Sequence, residues 1–125
     1  MPDAVTTKVL YQDDRYYIAS FTNVSDGTGE NDVVKVDVSG LTNSTKTVSI
    51  EEIWYNTSGM AVKIHFDATT DDVMLVLQGD GHFKFDDFGG VKDPKTAGYT
   101  GDVMFTTVGH TAGDTYSIVL KCRKY

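Results

Sequence analysis

The chain has 125 residues, the size of one domain around one hydrophobic core, and its 40% hydrophobic and 23% charged residues are those of a folding chain rather than a disordered one. Eleven Lys and Arg stand against 18 Asp and Glu, a net charge of −7 and a pI near 4.7, and basic residues gather only at Lys121, Arg123 and Lys124, so no nucleic-acid partner is expected. No apolar run approaches the roughly 20 residues of a membrane-spanning helix, and Met1 to Thr7 lacks the basic flank and apolar stretch of a signal peptide. The expectation is therefore no membrane and no secretion. Cys122 is the single cysteine, which rules out an intrachain disulfide and suits a reducing cytoplasm.

Threonine, valine and aromatic residues are frequent, and Glu30, Glu51 and Glu52 are the only glutamates, leaving 15 of the 18 acids as Asp, which favours turns over helices. Strands are predicted in chain order over residues 5–11, 15–24, 34–38, 47–55, 60–67, 73–77, 82–85, 103–108 and 116–122, nine in all, with no helix. The clearest alternation puts Met60, Val62, Ile64 and Phe66 on one face and Ala61, Lys63, His65 and Asp67 on the other. Val34, Val36 and Val38 alternate with Lys35 and Asp37, while Tyr116, Ile118, Leu120 and Cys122 form another inward set. Val48 and Ile50 share one parity and Ile53 and Tyr55 the other, so the strand through Glu51-Glu52 must carry a bulge or change sheet. Turn chemistry at Asp13-Asp14, Ser25 to Gly29, Asn56 to Gly59, Gly79 to Gly81 and Ala112 to Asp114 separates the strands. Short, evenly spaced strands of this kind predict an all-β, antiparallel β-sandwich, jelly-roll-like, in a single domain over 1–125. The glycine-rich stretch from Phe88 to Asp102 is too long for a hairpin and carries Tyr99 near two glycines, which marks it as an interface or ligand loop.

Chemistry finds little support along the chain. His65, His82 and His110 sit at strand ends or on outward parity, and no Ser, His and acid spacing forms a catalytic signature. Gly81-His82-Phe83-Lys84 is similar to the strand that bears the metal triad in cupins, but Lys84 stands where that triad has its second histidine, so neither a metal nor a cupin activity is expected. Asp26 to Asp32 spaces oxygen side chains as a calcium loop does yet lacks the closing Glu, and Asp71-Asp72 with Asp80, and Asp86-Asp87, read as turn-capping acids. No catalytic residue, cofactor or metal ligand is assigned. Trp54 and Tyr16-Tyr17 are the candidates for a sugar-stacking platform, although the apolar setting of Trp54 points first to core or interface.

Several stretches carry a resemblance: Asp3-Ala4-Val5-Thr6-Thr7; Phe21 to Glu30 followed by Lys35 to Leu41; Val48 to Trp54; Phe66 to Asp71; Phe88-Gly89-Gly90; and Thr100 to His110. Together they resemble a family of small proteins of tailed bacteriophages and prophages found among virion-structure genes. The resemblance implies a virion component, and a small, acidic, cysteine-poor β domain is compatible with a capsid decoration (cement) protein on the expanded lattice of the major capsid protein. The implied product is no enzyme. It would be made in the host bacterial cytoplasm, reside on the virion surface and form homo-oligomers, with trimers favoured. The expected contact residues are Pro2 and Val5 in the N-terminal arm, Val91, Pro94 and Tyr99 in the long loop, and Tyr125 after Lys124 at the C-terminal end. A neck or tail protein and a glycan-binding β-sandwich module are the alternatives.

Overall fold

The nine stretches of alternation become seven strands, because two expected turns are bends inside continuous strands, and a two-residue strand at Val91–Lys92, within the stretch expected as a loop, makes eight among the described residues. The computed structural model describes residues 4–25, 27, 29–41, 46–70, 72–85, 90–109 and 111–124, with Ala4, Val5 and Ser39 described by backbone alone. Its strands are β1 (Ala4–Gln12), β2 (Tyr16–Val24), β3 (Val33–Val36), β4 (Val48–Phe66), β5 (Asp72–Lys84), β6 (Val91–Lys92), β7 (Val103–Val108) and β8 (Thr115–Lys124). One short 3-10 turn, Val38–Gly40, ends the predicted 34–38 strand early.

Asn56 to Gly59 and Gly79 to Gly81 were expected to reverse the chain; instead β4 and β5 run straight through them as one antiparallel ribbon. Between the pairs Asn56↔Asp80 and Ala61↔Gln78, four residues of β4 oppose Gly79 alone. Gly59 takes up the distortion at φ +80°, where the Asp114 carboxylate occupies the space a Cβ would need. Thr57 Oγ1 accepts the Gly79 N–H at 2.8 Å. Gly, Asn and Ser suit a bulge as well as a turn, so the sequence signal was sound and its assignment to a reversal was not.

The bend carries the ribbon from one layer to the other. Before it, 48–58 of β4 pairs with β8; after it, 61–66 pairs with β7. One layer therefore runs β1-β2-β8-β4-β5 and the other β3-β7-β4-β5, every pairing antiparallel, which is the strand order of a jelly-roll sandwich. Phe21, Ile53, Ile118 and Leu120 from the first layer meet Val62, Ile64, Phe66 and Phe105 from the second, all fully buried. Edge-to-face contacts link the layers, Phe21 to Phe105 with ring centres 5.4 Å apart and Phe105 to Tyr116 at 5.8 Å. The parity change in β4 is a bulge at Glu51: Ile50 pairs with Cys122 but Glu52 with Lys121, which turns Ile53 inward like Ile50.

Lys35 departs from its expected outward position. The register skips between Val34 and Val36, and Lys35 is buried with its ammonium on Glu30 Oε2 and 5.8 Å from the Phe105 ring centre. Glu30 Oε1 accepts from the Tyr116 hydroxyl and from Asn23 Nδ2 (3.1 Å). The Glu30 N–H donates to Thr107 Oγ1 (2.9 Å), and the Thr107 N–H donates back to the Glu30 carbonyl (3.0 Å). A buried carboxylate needs this degree of satisfaction. Lys35→Met, which strands the Glu30 charge, is expected to lower unfolding stability by about 3 kcal/mol, and adding Glu30→Gln should recover much of it; urea denaturation of the three proteins checks the ordering.

Candidate functional site

The long stretch was expected to be an interface or ligand loop, and its residues 90–102 are fastened to the sandwich. Asp93 Oδ1 accepts the Lys95 N–H (2.8 Å), and a turn closes from the Tyr99 N–H to the Thr96 carbonyl (3.0 Å). Backbone bonds from Thr69 to Ala97, Thr100 to Asp67 and Asp67 to Asp102 stitch it to the connection after β4. Thr96 donates to Asp72 (2.6 Å), Thr100 to Asp67 (2.8 Å), and Asp102 accepts from the Val38 N–H (2.9 Å). Gly101, at φ +87°, lies so close to the Lys46 carbonyl that a side chain there has no room. Tyr99 stands 44% exposed on this stapled platform and Pro94 is exposed beside it.

The other expected contact residues fare differently. Val91, half-buried, pairs with Ile50 through β6 and packs against the core. From Ala4 on the chain is no free arm, since β1 pairs along β2 from Ala4↔Val24 onward; Val5 opposes Asn23, its side chain lying outside the described residues. Lys124 is buried, with Nζ donating to Gln12 Oε1 (2.9 Å) and the Asp13 carbonyl (2.7 Å), which pins the C-terminal end down. Pro2 and Tyr125 lie outside the described residues, as do Asp26, Thr28, Asp71, Asp86, Asp87 and His110.

Two surfaces that sequence reasoning underweighted emerge instead. Along β1, Val9, Leu10 and Tyr11 are each more than half exposed, because Leu10 is the extra residue of a bulge between the pairs Val9↔Ala19 and Tyr11↔Ile18. Among the described residues β1 pairs with β2 alone, so this apolar run lies on an open sheet edge. The second surface is the outer face of β5, β4 and β8. Register places three rows across it: Lys84, Glu52 and Lys121; then His82, Trp54 and Val119; then Asp80, Asn56 and Ser117. Trp54, expected in core or interface, is 39% exposed, and the His82 ring lies parallel to it, 5° between planes and 4.9 Å between centres. His82 Nε2 donates to Glu52 Oε2 (3.0 Å), Lys121 reaches Glu52 Oε1 at 3.7 Å, and the same ammonium sits 5.2 Å from the Tyr16 ring centre. A shallow groove of about 510 Å³ opens between the aromatic and polar rows. Of the two other proposed stacking residues, Tyr17 is buried and takes no part, while Tyr16 is half-buried under the Lys121 ammonium. The signal available in the sequence was the Glu51 parity shift, which, carried forward three residues, turns Trp54 outward.

The remaining chemical candidates are structural. His65 is buried rather than outward, Nε2 lying 2.9 Å from Thr106 Oγ1 and 3.4 Å from Asp32 Oδ1. Cys122 is fully buried, and desolvation, helped by the Glu51 charge, pushes its thiol up to about 12. Glu30 and Asp32, from the calcium-like stretch, turn to Lys35 and to His65 with Thr106 respectively. No group of three His, Cys, Asp or Glu is placed to hold a metal among the described residues.

Asp93 borders a separate cleft of about 360 Å³ with Thr47, Val48, Lys92 and Lys95, and its Oδ2 meets no hydrogen-bond donor among the described residues. Burial first, then the charges of Asp72 and Asp67, raises its carboxyl above the ordinary value of 3.8, against the lowering effect of the Lys95 N–H. A proton held more tightly in the folded state contributes stability that is complete below pH 3.8 and lost as pH rises through the raised value. Asp93→Asn, which keeps the Oδ1 acceptor, is therefore expected to raise the urea midpoint at pH 7 and to lose that advantage below pH 3.8. No family model and no curated protein matches the chain. Among solved structures it is similar to a cupin superfamily protein from Desulfitobacterium hafniense, with a TM-score of 0.28 and 18% identity over 99% of this chain and 77% of that one.

Proposed function

We propose that this protein is a structural component of a bacteriophage virion, a capsid decoration protein that binds the expanded lattice of the major capsid protein and associates with copies of itself, trimers being favoured. The sequence resemblance supplies the virion setting. The observation that carries the association is the open β1 edge with Val9, Leu10 and Tyr11 exposed in succession. Unpaired backbone groups beside an apolar run are a liability in an isolated domain and an asset where a neighbouring strand or shell surface covers them. Tyr99 offers a second contact of a different kind. Its loop is already ordered by hydrogen bonds to Thr69, Asp67 and Val38, so docking through it forfeits little conformational freedom. Weak contacts of this sort become strong when a lattice presents them repeatedly. On this reading the protein works without a catalytic centre or cofactor, on the capsid surface, after synthesis in the host cytoplasm.

Quantitative mass spectrometry of purified virions tests the proposal, with a copy number near that of the major capsid protein expected. A copy number near that of the portal would move the protein to the neck or tail, and absence from the particle would overturn the virion reading. Leu10→Asp is expected to shift the free protein toward monomer in analytical ultracentrifugation, and Tyr99→Ala to weaken shell binding by about tenfold or more.

A further inference from the structure

We propose that the outer face of β5, β4 and β8 is a carbohydrate-binding site, in which a pyranose ring stacks on the Trp54 indole while its hydroxyls bond Asn56, Asp80 and Ser117. The inference is independent of shell binding and rests on the three rows described above.

The apolar part comes first. A tryptophan is the largest apolar side chain a sheet can carry, and leaving it 39% exposed on a solvent-facing layer forgoes burial that Ile53 and Tyr55, its neighbours, largely obtain. The indole is nevertheless held in place. His82 lies flat against it, Glu52 accepts from His82, and Lys121 braces Glu52, so a chain of contacts across three strands sets the orientation of the ring. A preorganised aromatic surface loses little freedom when a ligand settles on it.

The polar part decides the ligand class. Alternate residues on a strand are spaced about 6.5–7 Å apart, so a six-membered ring seated by Trp54 brings its rim over the row that holds Asp80, Asn56 and Ser117, each exposed. A carboxylate accepts from hydroxyls, a carboxamide both donates and accepts, and a serine hydroxyl does either. That combination matches the alternating donors and acceptors of a sugar's edge, while the C–H face of the ring suits the indole. A protein partner fits less well, since the centre of a protein interface is depleted of charged side chains and Asp80 borders the groove directly. The net charge of −7, with Asp80 in the site, selects neutral sugars over anionic ones.

Trp54 is the single tryptophan, so its emission reports on the site alone. The full chain would be titrated with methyl glycosides of glucose, galactose and mannose, with N-acetylglucosamine, and with the oligosaccharides of each. A saturable change in emission with at least one of these is expected. Asp80→Asn and Asn56→Ala should each weaken the affinity by about tenfold, and Glu52→Ala, which removes the acceptor that holds His82, by a smaller factor. Trp54→Ala, followed by calorimetry, should abolish binding while leaving the melting temperature within a few degrees, since the residue lies on the outer face. The absence of a saturable response across the panel would overturn the proposal. So would a response that Asp80→Asn and Asn56→Ala leave unchanged, or a Trp54 emission that depends on protein concentration rather than on sugar, which would mark the face as a contact between copies of the chain.

Discussion

Both layers of the sandwich depend on one bend. β4 and β5 belong to each sheet in turn, so the place where their ribbon kinks fixes how far apart the layers lie and which residues of β7 and β8 face each other across the core. Gly59 and Gly79, both with positive φ, meet this demand from opposite strands of the ribbon. The Thr57 hydroxyl holds the Gly79 N–H, and the Asp114 carboxylate fills the space beside Gly59. Continuous strands through the corner also keep the backbone hydrogen-bonded where two separate hairpins would have left ends to satisfy.

The buried Glu30 carboxylate fastens the same end of the sandwich, since it bonds Tyr116, whose register partner is Thr57 of the bend. It joins Asn23 of β2, Lys35 of β3 and Tyr116 of β8, while its backbone clasps Thr107 of β7. Strands from both layers thus converge on one side chain. Apolar packing alone tolerates small slips of one layer over another, but a carboxylate with several directed donors does not. The cost of burying it is offset by Lys35 and by this full set of donors.

Much of this was legible in the residues. Period-two alternation located the segments of every strand except the two-residue β6, including the inward set Tyr116, Ile118, Leu120 and Cys122, and the parity break at Glu51 announced the bulge. Continuity was not legible, because Asn-Thr-Ser-Gly serves a turn and a wide bulge equally well and only the partner strand decides between them. Lys35 was misplaced for a related reason: a local register skip rotates a single residue, and its counter-charge Glu30 comes from a stretch without regular structure. The contact surface was harder still. The arms at Pro2 to Thr7 and at Lys124 looked free in sequence, but β1 is a paired edge strand and Lys124 reaches back to Gln12 and Asp13. The stacking partner of Trp54, His82, is 28 residues away in the chain (82 − 54), a distance at which only the ribbon register reveals that the two are neighbours.

The Glu51 bulge has a consequence for how the outer face arose. Without an extra residue at that point, one strand would have to turn either Val48 and Ile50 or Ile53 and Tyr55 to solvent, and in the second case Trp54 would enter the core. The outward station of the indole is thus set by the length of the strand rather than by its composition. Substituting positions one at a time would not find that dependence, whereas removing a single codon at Glu51 would exchange surface and interior along half of β4.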